Sequence, residues 1–129
     1  MRFVILALVL LISACRGDET LRAYGAADRV WTLTELDGKR FAARATIEFP
    51  EEGRISGQAP CNRYFADLTV PYPWFKAGPI GATKMACPDL DAEAQFFQAL
   101  DAMSLSEVLN NTLILSTPEG REMVFKSGG

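Results

Sequence analysis

The chain has 129 residues, 49% of them hydrophobic, with a formal net charge of −3, three cysteines and no histidine. That length points to a single domain, large enough to enclose a core without many disulfides. Without histidine there is no Ser-His-Asp or Cys-His catalysis and no His-containing zinc site, and an acidic chain with no Lys/Arg run lacks a surface that would track nucleic-acid phosphates.

The hydrophobic excess sits at one end. Met1 and Arg2 precede an unbroken apolar run, Phe3 to Ile12, then Ser13, Ala14 and Cys15. Ten apolar residues make the core of a secretory leader and fall short of the roughly 20 that span a bilayer. The stretch Leu11-Ile12-Ser13-Ala14-Cys15 resembles a bacterial lipobox, which implies cleavage before Cys15 and lipidation of its sulfur. Residues 1–14 are therefore expected to be a lipoprotein signal peptide. Two or three acyl chains would hold the rest durably on a membrane. Arg16 in place of aspartate after the cysteine leans the expected location to the outer membrane, facing the periplasm. Residues 15–28 lack periodicity and read as a lipid-anchored tether. Without the leader, about 44% of the residues are apolar, an ordinary globular value.

Folded structure is expected from residue 29. Val30 to Leu36 is rich in aromatic and β-branched residues and ends at Asp37-Gly38, a hairpin turn dipeptide. Ala45 to Phe49 alternates, with Ile47 and Phe49 on one face; Pro50 to Gly53 turns the chain and Arg54 to Gly57 starts a further strand. Shorter runs follow at Arg63 to Val70, Trp74 to Ala77 and Pro79 to Thr83, broken by prolines and glycines. Pro88 to Glu93 opens one helix, with Asp89 or Asp91 placed to cap it and Phe96, Leu100 and Met103 on its apolar face. Val108-Leu109 and Thr112 to Leu115 flank the turn Asn110-Asn111, and Glu122 to Phe125 closes a meander. This order predicts an α+β fold: a curled antiparallel β-sheet or partly open β-barrel packed with one α-helix.

Three segments carry a family resemblance. Trp31-Thr32-Leu33 with Leu36-Asp37-Gly38, then Gly57 with Cys61-Asn62-Arg63-Tyr64-Phe65, then Thr83-Lys84-Met85-Ala86-Cys87 leading to Glu93, Phe97 and Leu100, together resemble the META domain, also called HslJ-like. The resemblance covers residues 29–126 and leaves 127–129 as a tail. It implies a small, partly opened antiparallel barrel with one helix, often a periplasmic lipoprotein linked to heat shock, envelope stress or drug tolerance, and it implies no catalytic activity.

Cys61 and Cys87 remain once Cys15 is assigned to lipid, and an even pair in an oxidising periplasm suggests a disulfide. Two free buried thiols are the main alternative; a redox pair or metal site lacks both C-x-x-C spacing and histidine. Asn62 and Arg63, at a strand end or tight turn, are expected to serve structure before ligand. Thr83, Lys84 and Met85 either line a rim, with Lys84 offering a charge, or leave an ordinary solvated lysine, the commoner case. Tyr72, Trp74 and Phe75, among Pro71 and Pro73, either plug one end of the barrel or form a contact for a partner or apolar ligand.

The expected function is thus a non-enzymatic envelope lipoprotein, without cofactor, that binds a partner protein or an apolar ligand. The alternative is a pilot-like lipoprotein that escorts or stabilises an outer-membrane protein. An apolar cavity beside Trp31, Phe65 and Phe97 would favour the first, and a filled core with an exposed aromatic patch the second.

Overall fold

The computed structural model describes residues 17–128, so the expected signal peptide and the expected lipidation at Cys15 lie outside the described residues. Among the described residues, nine strands and one α-helix follow a short 3-10 helix, Leu21–Tyr24. The strands are β1 (Trp31–Leu36), β2 (Lys39–Arg40), β3 (Thr46–Ile47), β4 (Arg54–Gln58), β5 (Arg63–Asp67), β6 (Gly81–Ala82), β7 (Leu105–Leu109), β8 (Thr112–Ser116) and β9 (Glu122–Ser127); helix α1 spans Leu90–Ala102.

They form two antiparallel sheets. The larger runs β2-β1-β9-β8-β7, with β3 also on β1, and the smaller runs β4-β5-β6. The sheets do not close into a continuous barrel. Single bridges link them: Glu48 to Ser56 ties the end of β3 to β4, and Trp74 to Leu105 ties the β5–β6 connection to β7, while Leu68 to Ala77 pairs the two ends of that connection within the smaller sheet. The α+β expectation holds, in its open form.

The turn chemistry explains the registers. Asp37 and Gly38 both adopt positive φ, 50° and 79°, as a tight two-residue hairpin requires. The Asp37 carboxylate also accepts from the Arg121 guanidinium (3.0 Å) and the Glu122 amide (3.1 Å), tying this turn to the start of β9. The hydrogen bond from Arg121 holds the Asp37 carboxyl below its ordinary value. Asn110, with φ 53°, turns β7 into β8.

The inward face of each strand is apolar, as the alternation predicts: Trp31 and Leu33, Ile55, Tyr64 and Ala66, Leu113 and Leu115, Met123 and Phe125 are buried. Trp31 is fully enclosed, and its indole N–H donates to the Ala26 carbonyl (3.0 Å). Gly57 is required by close approach, since a Cβ there would lie 2.2 Å from the Thr46 carbonyl oxygen. Tyr64 reaches the same carbonyl with its hydroxyl (2.7 Å), and burial pushes that phenol well above its ordinary pKa.

Helix α1 lays Phe96, Ala99 and Leu100 on the sheets, with Met103 buried just beyond its end. Phe96 meets Tyr64 edge-on at 5.4 Å and Phe41 at 6.5 Å, so the helix locks the mouth between the two sheets with aromatic contacts. Asp89 occupies the N-cap position, yet neither it nor Asp91 caps with its side chain; the Glu93 amide donates to the Asp89 carbonyl instead.

One expectation needs correction. The presumed tether is folded from Asp18 onward: the Asp18 carboxylate accepts from the Thr20 amide and pairs with Arg22, and Leu21 and Ala26 are fully buried. Two isolated apolar residues present no period in sequence, but together they cap the open end of the core.

Candidate functional site

The family-motif residues meet at the N-terminal end of α1. Cys61 and Cys87 form a disulfide with Cα atoms 5.6 Å apart, joining the β4–β5 turn to the segment that enters the helix. Beside it, Asn62 is buried and uses every polar atom of its side chain. Its Nδ2 donates to the Met85 carbonyl (3.0 Å) and to Glu93 Oε2 (2.8 Å). Its Oδ1 accepts from the Thr83 hydroxyl (2.9 Å) and the Met85 amide (2.6 Å).

Glu93 completes the network. Its carboxylate is buried at 6% exposure, and Oε1 accepts from the backbone amides of Cys61 (3.0 Å) and Asn62 (2.8 Å). A buried carboxylate is tolerated only when hydrogen-bonded, and here three donors converge on it. Arg63 is exposed and contributes its carbonyl, which accepts from the Thr83 amide (3.1 Å).

Disulfide, Asn62 and Glu93 therefore act as one clamp on residues 83–87, which have no regular secondary structure. What the clamp fixes is a rim. Lys84, Met85 (67% exposed) and Leu90 (45% exposed) stand out from an open depression of about 360 Å³ that Asn62, Thr83 and Glu93 also line. The rim joins a cation to two apolar side chains on a backbone held from below. Thr83, Lys84 and Met85 are thus brought together with Asn62 as a rim, with the polar atoms of Asn62 spent on structure.

Tyr72, Trp74 and Phe75 divide. Phe75 is buried at 2% exposure and its amide donates to the Ser104 carbonyl (2.9 Å), so it is a plug and not a contact residue. Alternation along the segment sends Trp74 outward at 56% exposure. Tyr72 is half-buried, stacked on Tyr24 at 4.6 Å, while its amide donates to the Glu19 carbonyl (2.8 Å). A second open depression, about 410 Å³, adjoins this end, lined by Gly17, Glu19, Glu52, Leu68 and Pro71 among others.

The core around Trp31 is filled by packed side chains. Trp31 is enclosed, Phe97 packs edge-on against Tyr64 at 5.6 Å, and Phe65 lies on the outer face, its ring covering Gly81. Sequence reasoning missed two residues. Glu93 stands in the first helical turn, where an acid is ordinarily solvated, and only its place in the family motif signals a burial partner; Tyr24 falls within the expected tether and carries no signal.

An open pair of antiparallel sheets with one packed helix and a disulfide-clamped rim defines a small α+β domain. A family profile described as META domain matches residues 25–128. The chain belongs to the META domain family. Among solved structures, it is similar to an NMR structure of a protein from Burkholderia xenovorans, with TM-score 0.66 and 21% identity over 83% of this chain and 86% of that one. A second NMR structure gives TM-score 0.59 and 21% identity over 76% and 87%. A crystal structure of a DUF4847 family protein from Bacteroides vulgatus gives TM-score 0.63 and 11% identity over 83% and 96%. At these identities the likeness establishes the fold alone. No curated protein matches the chain.

Proposed function

We propose that this META domain protein is a non-enzymatic envelope lipoprotein, anchored through Cys15 and facing the periplasm from the outer membrane, that binds a partner protein through the Lys84–Met85–Leu90 rim. The observation that carries the reading is the clamp itself: a buried network and a disulfide are spent on holding an irregular segment rigid while its apolar side chains remain in solvent. Preorganisation of that kind lowers the entropic cost of binding.

The chemistry of the residues supports a non-catalytic role. The one buried carboxylate in the network is saturated by donors, and the cysteines beside it are bridged. With the interior filled around Trp31, the surface offers the contact, so a protein partner is favoured over an apolar ligand held inside. A part in envelope stress or drug tolerance is what the family resemblance adds. The filled core with Trp74 exposed also fits the pilot-like alternative, in which the partner is an outer-membrane protein under escort.

Site-specific photocrosslinking in intact cells tests the proposal. A probe at Met85 should give a discrete protein adduct that a probe at Glu107, on the far edge strand, does not. Equal labelling at both positions, or none at Met85, would defeat the rim as a binding surface. Mislocalisation of the captured protein in cells lacking the lipoprotein would select the escort reading.

A further inference from the structure

The patch of Trp74, Tyr24 and Tyr72 lies at the opposite end of α1 from the rim. The Phe75 amide meets Ser104, just past the helix C-terminus, whereas Met85 and Leu90 flank its N-terminus, and 13 helical residues separate the two ends by about 20 Å. The same patch is where the chain emerges from the domain. Glu19 is bonded to Tyr72, and Gly17 and Pro71 line one depression.

From this placement we infer that the domain rests on the lipid surface through this end, with Trp74 and Tyr24 in the headgroup layer and the rim directed away from the membrane. The inference rests on the proposed lipid anchor at Cys15. Asp18 is held by its bonds to Thr20 and Arg22, so only three residue steps connect the lipidated sulfur's residue to the folded body. Fully extended, they span roughly 10 Å. The headgroup layer on one side of a bilayer takes up about 5 to 8 Å of that reach. The body is thereby confined against the membrane whatever path the short connection takes.

The chemistry of the confined face fits a lipid surface. Tyr and Trp favour the membrane–water interface, where an apolar ring and a polar edge are both satisfied. Tyr24 is 53% exposed and Trp74 56% exposed, although both lie beside a well-packed core. Phe75 and Ala77 are buried while Trp74 and Lys76 are exposed, so the same short segment offers the surface an indole and a lysine that suits the phosphate level. Glu19 and Glu52 border the adjoining depression, so a zwitterionic surface suits this end better than a strongly anionic one.

The two tryptophans make the test direct, because Trp31 is enclosed and serves as an internal reference. The full lipidated protein is reconstituted into phosphatidylethanolamine-rich vesicles carrying lipids brominated near the headgroup. Trp74 emission should shift to the blue and be lost to quenching, and Trp74→Phe should abolish that loss and leave Trp31 emission unchanged. Leu90→Trp in the Trp74→Phe background, a reporter on the rim, should escape quenching.

Protein that partitions into the vesicles with unquenched Trp74 overturns the inference and leaves the anchor standing. Equal quenching of the Trp74 and Leu90→Trp reporters also overturns it, since the domain would then have no fixed orientation. Shielding of Trp74 in native envelopes but not in lipid vesicles would assign the patch to a protein and refute the lipid contact. Failure to partition at all removes the anchor, and the inference falls with it.

Discussion

Replacing Asn62 with alanine removes four side-chain hydrogen bonds at once: two to the Met85 backbone, one from Thr83 and one to Glu93. The bond to the carboxylate is the costly one. Hydrogen bonds to charged groups contribute about 1.5 to 3 kcal/mol, and neutral ones about 1. Met85 and Thr83 are exposed and regain water when released, so their share is discounted; Glu93 Oε2 is buried and does not. The expected loss is about 3 to 4 kcal/mol. Urea unfolding under non-reducing conditions should show a lower midpoint at unchanged slope. Asn62→Asp, nearly isosteric, sets a second carboxylate where Nδ2 met Glu93 at 2.8 Å, and should cost more than alanine at neutral pH and less in acid. Arg63→Ala, one residue along but exposed, should cost no more than about 0.5 kcal/mol. If Asn62→Ala costs under about 1 kcal/mol, or no more than Arg63→Ala, the clamp is not what holds the rim.

Other substitutions probe the rest of the scaffold. Replacing both Cys61 and Cys87 with alanine opens a loop of 26 residues and should lower stability by about 3 to 4 kcal/mol on the chain-entropy account, read from the urea midpoint against the oxidised protein. Gly57→Ala forces a Cβ to within 2.2 Å of the Thr46 carbonyl, where backbone must yield, and should cost about 3 kcal/mol by the same measurement. Tyr64 has a raised pKa from burial, so its contribution to stability is full below the ordinary tyrosine value of 10.0 and is lost as pH rises above it. Near-UV circular dichroism should therefore collapse together with Tyr64 ionisation in alkali. Tyr64→Phe should remove that coupled step, at a cost of about 1 kcal/mol at neutral pH for the lost bond to Thr46.

Much of the scaffold was legible because its signals are local. β1 and its Asp37-Gly38 turn follow from a β-branched run and a dipeptide that accepts positive φ, and the apolar face of α1 follows from Phe96, Leu100 and Met103 at helical spacing. What depended on distant partners was not legible. Leu21 and Ala26 show no period, yet the open end of the core buries them. β6 has only two residues and exists because Tyr64 and Phe65 supply its ladder. Trp74 and Phe75 look alike in sequence; alternation against the β7 edge sends one outward and one in. Glu93 follows the rule for a helix N-terminal acid, and the rule conceals that its carboxylate turns inward to collect two amides and Asn62.

The proposed envelope role and the proposed lipid-facing end both rest on Cys15 as the anchor. Intact mass of the protein extracted from the membrane fraction, compared with the partition of Cys15→Ser, tests this most directly. The predicted result is a chain beginning at Cys15 and carrying two or three acyl groups, with the serine variant released from the membrane. A free Cys15 thiol on membrane-bound protein, or a serine variant that stays on the membrane, would contradict it.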